Sequence, residues 1–275
     1  MVKRRLKLTV EYDGAGFSGF QRQTGTDLRT VQGVLETALK QLTGSEHVIV
    51  GAGRTDAGVH ALGQVAHFDT EAGLPAVRWP AALNGLLPPD VSVRGAEEVD
   101  DSFHARCSAK SKEYCYLILN RPQRSAIWHH HSYHLPQRLD LKRMAQGAAC
   151  FTGTHDFRAF SAAGSSARST VRRVFASSVF AGGHWIGFKV VASGFLYKMV
   201  RLMAGTLVEV GLGRTDPGRI EELLESRDGC EKGGPTLPPR GLFLVRITYE
   251  GESEALCAPE FPALNVFGIS FVRVP

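Results

Sequence analysis

The chain has 275 residues, 43% hydrophobic and 21% charged, which excludes a disordered protein and leaves room for one large domain or two ordinary ones. Its formal net charge of +5 and sequence pI of about 9.0 suit an anionic partner, although a moderate excess of this size is also common on plain soluble enzymes. Five cysteines (Cys107, Cys115, Cys150, Cys230 and Cys257) form an odd number without CxxC spacing, which argues against a disulfide framework and a structural zinc, and fits a reducing compartment.

The basic start "MVKRRLKLTVEYDG" continues as an alternating strand with no unbroken apolar stretch, so neither a signal peptide nor a membrane span is expected, and the expected location is the cytoplasm. Leu6, Leu8, Val10 and Tyr12 share one strand face, and Val31, Val34, Leu35, Ala38, Leu39 and Leu42 follow with helical spacing between an N-cap Thr30 and a closing Gly44. Strands are predicted around Val48–Ala52 and Gln64–Asp69, a helix near Trp79–Leu87 with Pro80 in its first turn, and a strand at Val91–Arg94. From Ser111 the pattern restarts. A strand carries Tyr114, Tyr116 and Ile118, a helix begins at Asp140, two strands (Val171–Phe180, Trp185–Ala192) meet at "AGGH", helices cover about Phe195–Val210 and the stretch after Asp216-Pro217, and Leu242–Tyr249 is a last strand.

The order β-α-β-β-α-β thus occurs twice, which predicts an α+β protein of two ferredoxin-like (split βαβ) halves joined into one extended, mostly antiparallel sheet, with helices on one face and a central cleft. The expected halves are 1–104 and 105–250, with a tail, 251–275, of unknown role. No residue-level repeat accompanies this duplication.

Several stretches carry candidate chemistry. "VIVGAGRTDAGVHALGQVAHF" (Val48–Phe68) begins like a dinucleotide fingerprint, but Asp56 stands where the third glycine belongs and a strand follows instead of a helix, so the segment is a loop between strands. Asp56 has structural readings, an Asx turn or an ion pair with Arg54, and a chemical one: a carboxylate beside a guanidinium can attack an electron-poor carbon or stabilise a developing cation. "FHARCSAKSKEYCY" (Phe103–Tyr116) interleaves basic and aromatic residues, as sheets that stack single-stranded bases do, while Lys110 and Lys112 alone read as a solvated edge. "SSARSTVRR" (Ser165–Arg173) is a flexible loop or a phosphate-binding one. Arg201 interrupts the apolar stripe of "FLYKMVRLMAGTLVEVG", where a guanidinium needs a partner because desolvating it alone costs several kcal/mol. In "WHHHSYH" (Trp128–His134), strand periodicity would send His130 and His134 one way and His129 and His131 the other, with no further ligand at metal spacing. GxSxG and GxxxxGK[ST] motifs are absent, and no second carboxylate is placed to serve Asp56 as a glycosidase acid.

Taken in order, "EYDGAGFSGFQRQ", "GAGRTDAGVHALGQVAHF", "DSFHARCSAKSKEYCY" and "FLYKMVRLMAGTLVEVG" closely resemble the tRNA pseudouridine synthases of the A type (TruA), over about Leu6 to Glu250. The resemblance implies isomerisation of uridine to pseudouridine in the anticodon arm of tRNA, at tRNA positions 38, 39 and 40, by a homodimer without metal or organic cofactor. It implies that Asp56 of "RTDAG" is the catalytic aspartate, that Arg54 helps to draw out the target nucleotide, that Tyr114 stacks on the flipped uracil, and that Arg201 pairs with Asp56. Arg22, Gln23, Arg54, Phe103, His104, Arg106, Lys110, Lys112, Arg121, Arg168, Ser169 and Thr170 are the expected RNA contacts. Phe20 stands where many relatives carry Trp, and Cys107 where an aromatic is frequent. A non-catalytic RNA-binding protein is the alternative that the basic and aromatic pattern alone would allow.

Overall fold

Alternation places Leu6, Leu8, Val10 and Tyr12 on the buried face of β1 (Arg4–Tyr12), and this strand is the centre of the first of two compact units in the computed structural model. The structure describes residues 3–23, 25–164, 167–226, 231–251 and 272–275. One unit comprises described residues up to 110 together with 244–251; the other comprises 111–243 with 272–275.

In the first unit, α1 (Val31–Thr43) starts where the Thr30 hydroxyl accepts the Gly33 N–H and stops at Gly44, whose left-handed φ of 75° suits glycine. β2 is only Val50–Gly51, β3 runs over His60–Thr70, α2 over Trp79–Asn84 and β4 over Val91–Val99. The antiparallel order β4-β1-β3-β2 is that of a split βαβ unit. β10 (Leu242–Thr248) also pairs with β3, so its residues from Leu244 onward lie with this unit. Phe68 on β3 meets Trp79 of α2 edge-on at 5.2 Å, which fixes the helix-covered face of the sheet. The opposite face is not bare. Lys7 extends over the Tyr249 ring (4.6 Å), Tyr249 lies 5.0 Å from Phe103, and the Tyr249 hydroxyl donates to the Ala105 carbonyl (2.8 Å).

The second unit contains β5 (Ser111–Asn120), β6 (Tyr133–Leu135), α3 (Leu141–Cys150), β7 (Gly153–Asp156), β8 (Val171–Gly182), β9 (Trp185–Ala192), α4 (Met199–Gly211), α5 (Arg219–Glu225) and β11 (Val272–Arg273). Its strands run β11-β8-β9-β5, antiparallel throughout; the short β6 joins β5 in parallel and β7 pairs with β8. Asp140 caps α3 by accepting the Arg143 N–H (3.1 Å). One face of β5 carries Tyr114 and Tyr116. The other carries Glu113, whose carboxylate meets Lys189 Nζ of β9 at 2.7 Å, both side chains nearly fully buried. Removing one side of such a pair strands a buried charge, at a cost of about 3–5 kcal/mol.

Three differences from the pattern expected of the sequence have a clear physical reason. Trp128–His130 is a 3-10 turn and not a strand, so the histidines of "WHHHSYH" do not alternate between faces. α4 begins at Met199 rather than Phe195 because Lys198 takes a left-handed conformation (φ 58°, ψ 13°) that no helix can propagate through. β3 starts at His60, four residues early, because His60 and Ala61 are buried in succession and hide the strand period. The tail expected to be without an assigned role, 251–275, lies mostly at residues 252–271, outside the described residues; beyond them Val272 and Arg273 pair with Ala181 and Phe180.

Candidate active site

Asp56 lies in the first unit, on the connection between β2 and β3, and the residue beside it holds that connection. Thr55 is buried; its hydroxyl bonds the Tyr12 hydroxyl (2.8 Å) and its carbonyl accepts the Phe20 N–H (3.2 Å). Gln64 donates to the Gly53 carbonyl (2.9 Å) and reaches the Tyr12 hydroxyl at 3.5 Å. Burial pushes the Tyr12 phenol up to about 12, so it is a neutral hydrogen-bonding partner throughout the working range. The turn itself is closed by main chain, with the Val59 N–H donating to the Asp56 carbonyl (3.1 Å) and the Gly58 N–H to the Phe17 carbonyl (3.2 Å). Arg54 is exposed and Asp56 half-buried on either side of the buried Thr55.

Two glycines let the neighbouring segment approach. A Cβ on Gly14 would lie 2.0 Å from the Val59 carbonyl oxygen, and Gly19 has a φ of +97° with the Thr55 carbonyl 2.7 Å from where its Cβ would be. The Gly14 N–H donates to Nδ1 of the buried His60 (3.1 Å). The result is a carboxylate on a loop whose main chain is pinned at Gly53, Thr55, Asp56 and Gly58.

In the second unit, Tyr114 sits on β5 with its ring 5.0 Å from Phe195, edge to face, and is 7% exposed. Arg201 is the third residue of α4. A cation there faces the positive end of the helix dipole, an unfavourable placement by up to about 1 kcal/mol, and an anion near it would reverse that term. Its Nε donates to the Leu237 carbonyl (2.7 Å), which orients the guanidinium, and its own carbonyl accepts the Leu237 N–H (3.3 Å). The same segment accepts the Tyr116 hydroxyl at the Pro238 carbonyl (2.7 Å). Burial raises the Tyr116 phenol above the usual range.

The expected RNA contacts are of two kinds. Arg22, Gln23, Arg106, Lys110, Arg168 and Ser169 are exposed; Arg22 reaches the largely buried Glu36 at 3.7 Å, and Lys110 lies 3.4 Å from the exposed Glu250, a weak surface pair. Phe103, His104, Lys112, Arg121 and Thr170 are half-buried. Phe103 packs against Tyr249, His104 Nδ1 accepts the N–H groups of Arg106 and Cys107 (3.2 Å each), Arg121 Nε donates to the Gln123 carbonyl (2.9 Å), and the Thr170 carbonyl accepts the Phe157 N–H (3.0 Å). His67, beside His104, is held down to about 4 by burial first and then by Arg5 and His104; its neutral Nδ1 accepts the Ala105 N–H (3.2 Å).

Thr55, Tyr12 and Gln64 went unnoticed in the sequence as parts of the site. The signal lay in the alternation around Thr55, whose polar side chain between two outward charges calls for a buried partner.

The site presents a carboxylate on a pinned loop beside an exposed arginine, on a split-βαβ scaffold in a chain of net charge +5, an arrangement suited to chemistry on an anionic substrate. A family profile described as tRNA pseudouridine synthase matches residues 8–107 and 148–250, which include Asp56 and Arg201, while Tyr114 and Arg121 fall between the two stretches. Over 244 residues the chain is 50% identical to the tRNA pseudouridine synthase A of Moorella thermoacetica, covering 89% of this chain and 99% of that one. The corresponding proteins of Caldicellulosiruptor saccharolyticus and Bacillus subtilis are 46% and 44% identical over 90% of this chain and 100% and 99% of theirs. The chain belongs to the tRNA pseudouridine synthase family, and its activity is the isomerisation of uridine to pseudouridine in tRNA. Among the described residues no helix is long and apolar enough to cross a membrane.

Proposed function

We propose that the enzyme acts on the anticodon stem-loop of tRNA, at positions 38, 39 and 40, as a cytoplasmic homodimer, with Asp56 as the nucleophile. The observation that carries this reading is the clamp on Thr55, which fixes the Asp56 main chain beside an exposed Arg54. A stacked uridine hides its glycosidic bond, so the nucleotide is flipped out at a cost of a few kcal/mol, which contacts to phosphates offset. Arg54 takes part in drawing it out, Tyr114 stacks on the uracil, and Arg201 provides the counter-charge to Asp56. Arg22, Gln23, Phe103, His104, Arg106, Lys110, Lys112, Arg121, Arg168, Ser169 and Thr170 contact the tRNA.

The Asp56 carboxylate attacks C1′ of the ribose or C6 of the base. In either route the N1–C1′ bond breaks, the uracil turns, C5 bonds to C1′, the bond from Asp56 to C1′ or C6 breaks and returns the carboxylate, the C5 hydrogen leaves as a proton and N1 gains one, so product and substrate have the same composition. No cofactor is required by this balance. Asp56→Asn keeps the shape of the side chain and removes the nucleophile. It is expected to bind tRNA like the wild type while tritium release from uracil labelled at C5 falls at least about a thousandfold. Release within threefold of the wild type would remove Asp56 from the chemistry, and carbodiimide mapping of the product reads out the positions modified.

A further inference from the structure

The histidine-rich segment of the second unit has no part in the reaction described above, yet it forms one wall of a cavity of about 290 Å³. Arg124, Arg240, Ser125, His129 and His134 line it, and no carboxylate does. The 3-10 turn at Trp128–His130 packs on the 3-10 turn at Pro239–Gly241, which brings Arg240 to a segment more than a hundred residues earlier in the chain.

The donors and acceptors of this cavity decide what it takes. Neither the Arg124 nor the Arg240 guanidinium has a hydrogen bond or ion pair among the described residues, unlike Arg4, Arg5, Arg29, Arg158 and Arg219, which all face carboxylates. Ser125 Oγ accepts the Trp128 N–H (3.1 Å), so its hydroxyl proton remains to be donated. His129 Nδ1 lies 2.6 Å from the Ala126 carbonyl and His134 Nε2 2.8 Å from the Arg121 carbonyl; a carbonyl only accepts, so these nitrogens carry protons and each ring is held by one edge. Imidazoles alone would admit a metal ion, but two unpaired guanidinium charges on the same cavity repel a cation and attract an anion. At about 290 Å³ the space is at the lower limit for organic ligands and leaves ample room for a phosphate group.

We propose that this cavity is a phosphate-binding site and that its occupant is a backbone phosphodiester of the RNA substrate, an identification that rests on tRNA being that substrate. Its position gives it a second consequence. Arg240 follows Leu237 and Pro238 by three and two residues, and these two carbonyls hold Arg201 and Tyr116. A phosphate bound at Arg240 therefore docks on the segment whose Leu237 carbonyl orients the Arg201 guanidinium.

The test uses the full-length protein and the double variant Arg124→Gln/Arg240→Gln, both side chains being exposed, with the exposed Lys142→Gln as a control for general charge loss. The double variant is expected to bind tRNA about tenfold more weakly and to lower the slope of log affinity against log salt by about one, with Lys142→Gln unchanged. Orthophosphate alone is expected to shift the imidazole NMR signals of His129 and His134 in the wild type and not in the double variant. Unchanged tRNA affinity and salt slope overturn the proposal, and if orthophosphate still shifts the wild-type imidazoles, the site holds a free anion and not the RNA. Loss of affinity equal to that of Lys142→Gln also overturns it. Tritium release by the wild type reports separately on the catalytic reading, so the two can fail independently.

Discussion

The loop that carries Asp56 and the strand and helix that carry Tyr114 and Arg201 hold their side chains by different means. Asp56 depends on contacts made by its neighbours: a buried hydroxyl pair, four main-chain anchors, and glycines that leave no room for a methyl group. Tyr114 and Arg201 depend on regular elements, where a strand period or a helical turn sets the direction of the side chain and one carbonyl, that of Leu237, trims the guanidinium. A loop site is therefore sensitive to changes at residues that touch no substrate, whereas a site on regular elements tolerates them and responds mainly to loss of the functional group itself.

This difference can be measured. Gly14→Ala puts a methyl group 2.0 Å from the Val59 carbonyl oxygen, so the two loops must separate; a loss of about 3 kcal/mol or more in the unfolding free energy from denaturant titration is expected, together with loss of turnover. A near-native stability would mean that the two segments yield easily. Thr55→Val keeps the volume and removes the partner of the Tyr12 hydroxyl, with an expected cost of about 1–3 kcal/mol and a lower kcat at unchanged tRNA affinity. If kcat stays at the wild-type value, the clamp serves the fold alone. Arg201→Gln removes the bond to the Leu237 carbonyl and with it the counter-charge proposed for Asp56, so stability should fall by about 1–2 kcal/mol. Tritium release should fall at least about tenfold. A large loss of stability without loss of rate would make Arg201 a structural residue.

The same contrast explains what the sequence disclosed. α1 was legible with its first and last residues because Thr30 and Gly44 act within one turn of themselves, and β1, β5 and the start of α3 at Asp140 were legible for the same local reason. The Thr55–Tyr12–Gln64 network was not, since its members are up to 52 residues apart and only the fold brings them together. Glu113–Lys189 joins two strands across 76 residues and left only two charges inside apolar strands as its trace. Lys198 defeated the helix start, because the residues before it continue the apolar stripe while its backbone does not continue the helix. Motif residues such as Asp56 and Arg54 stood out because their chemistry is tied to the residue types in one short stretch, independent of how the loop is held.

The position of the Asp56 carboxyl, fixed by the main chain around it, is the basis of the account, and Asp56→Glu tests it by keeping the acid and moving it by one methylene. Misplacement of a reacting group by about 1 Å can cost about a hundredfold in rate, so single-turnover tritium release with enzyme in excess is predicted to fall by at least that factor while tRNA affinity is unchanged. A variant that turned over within a few-fold of the wild type would contradict the account, because the loop would then have no role in placing the carboxylate.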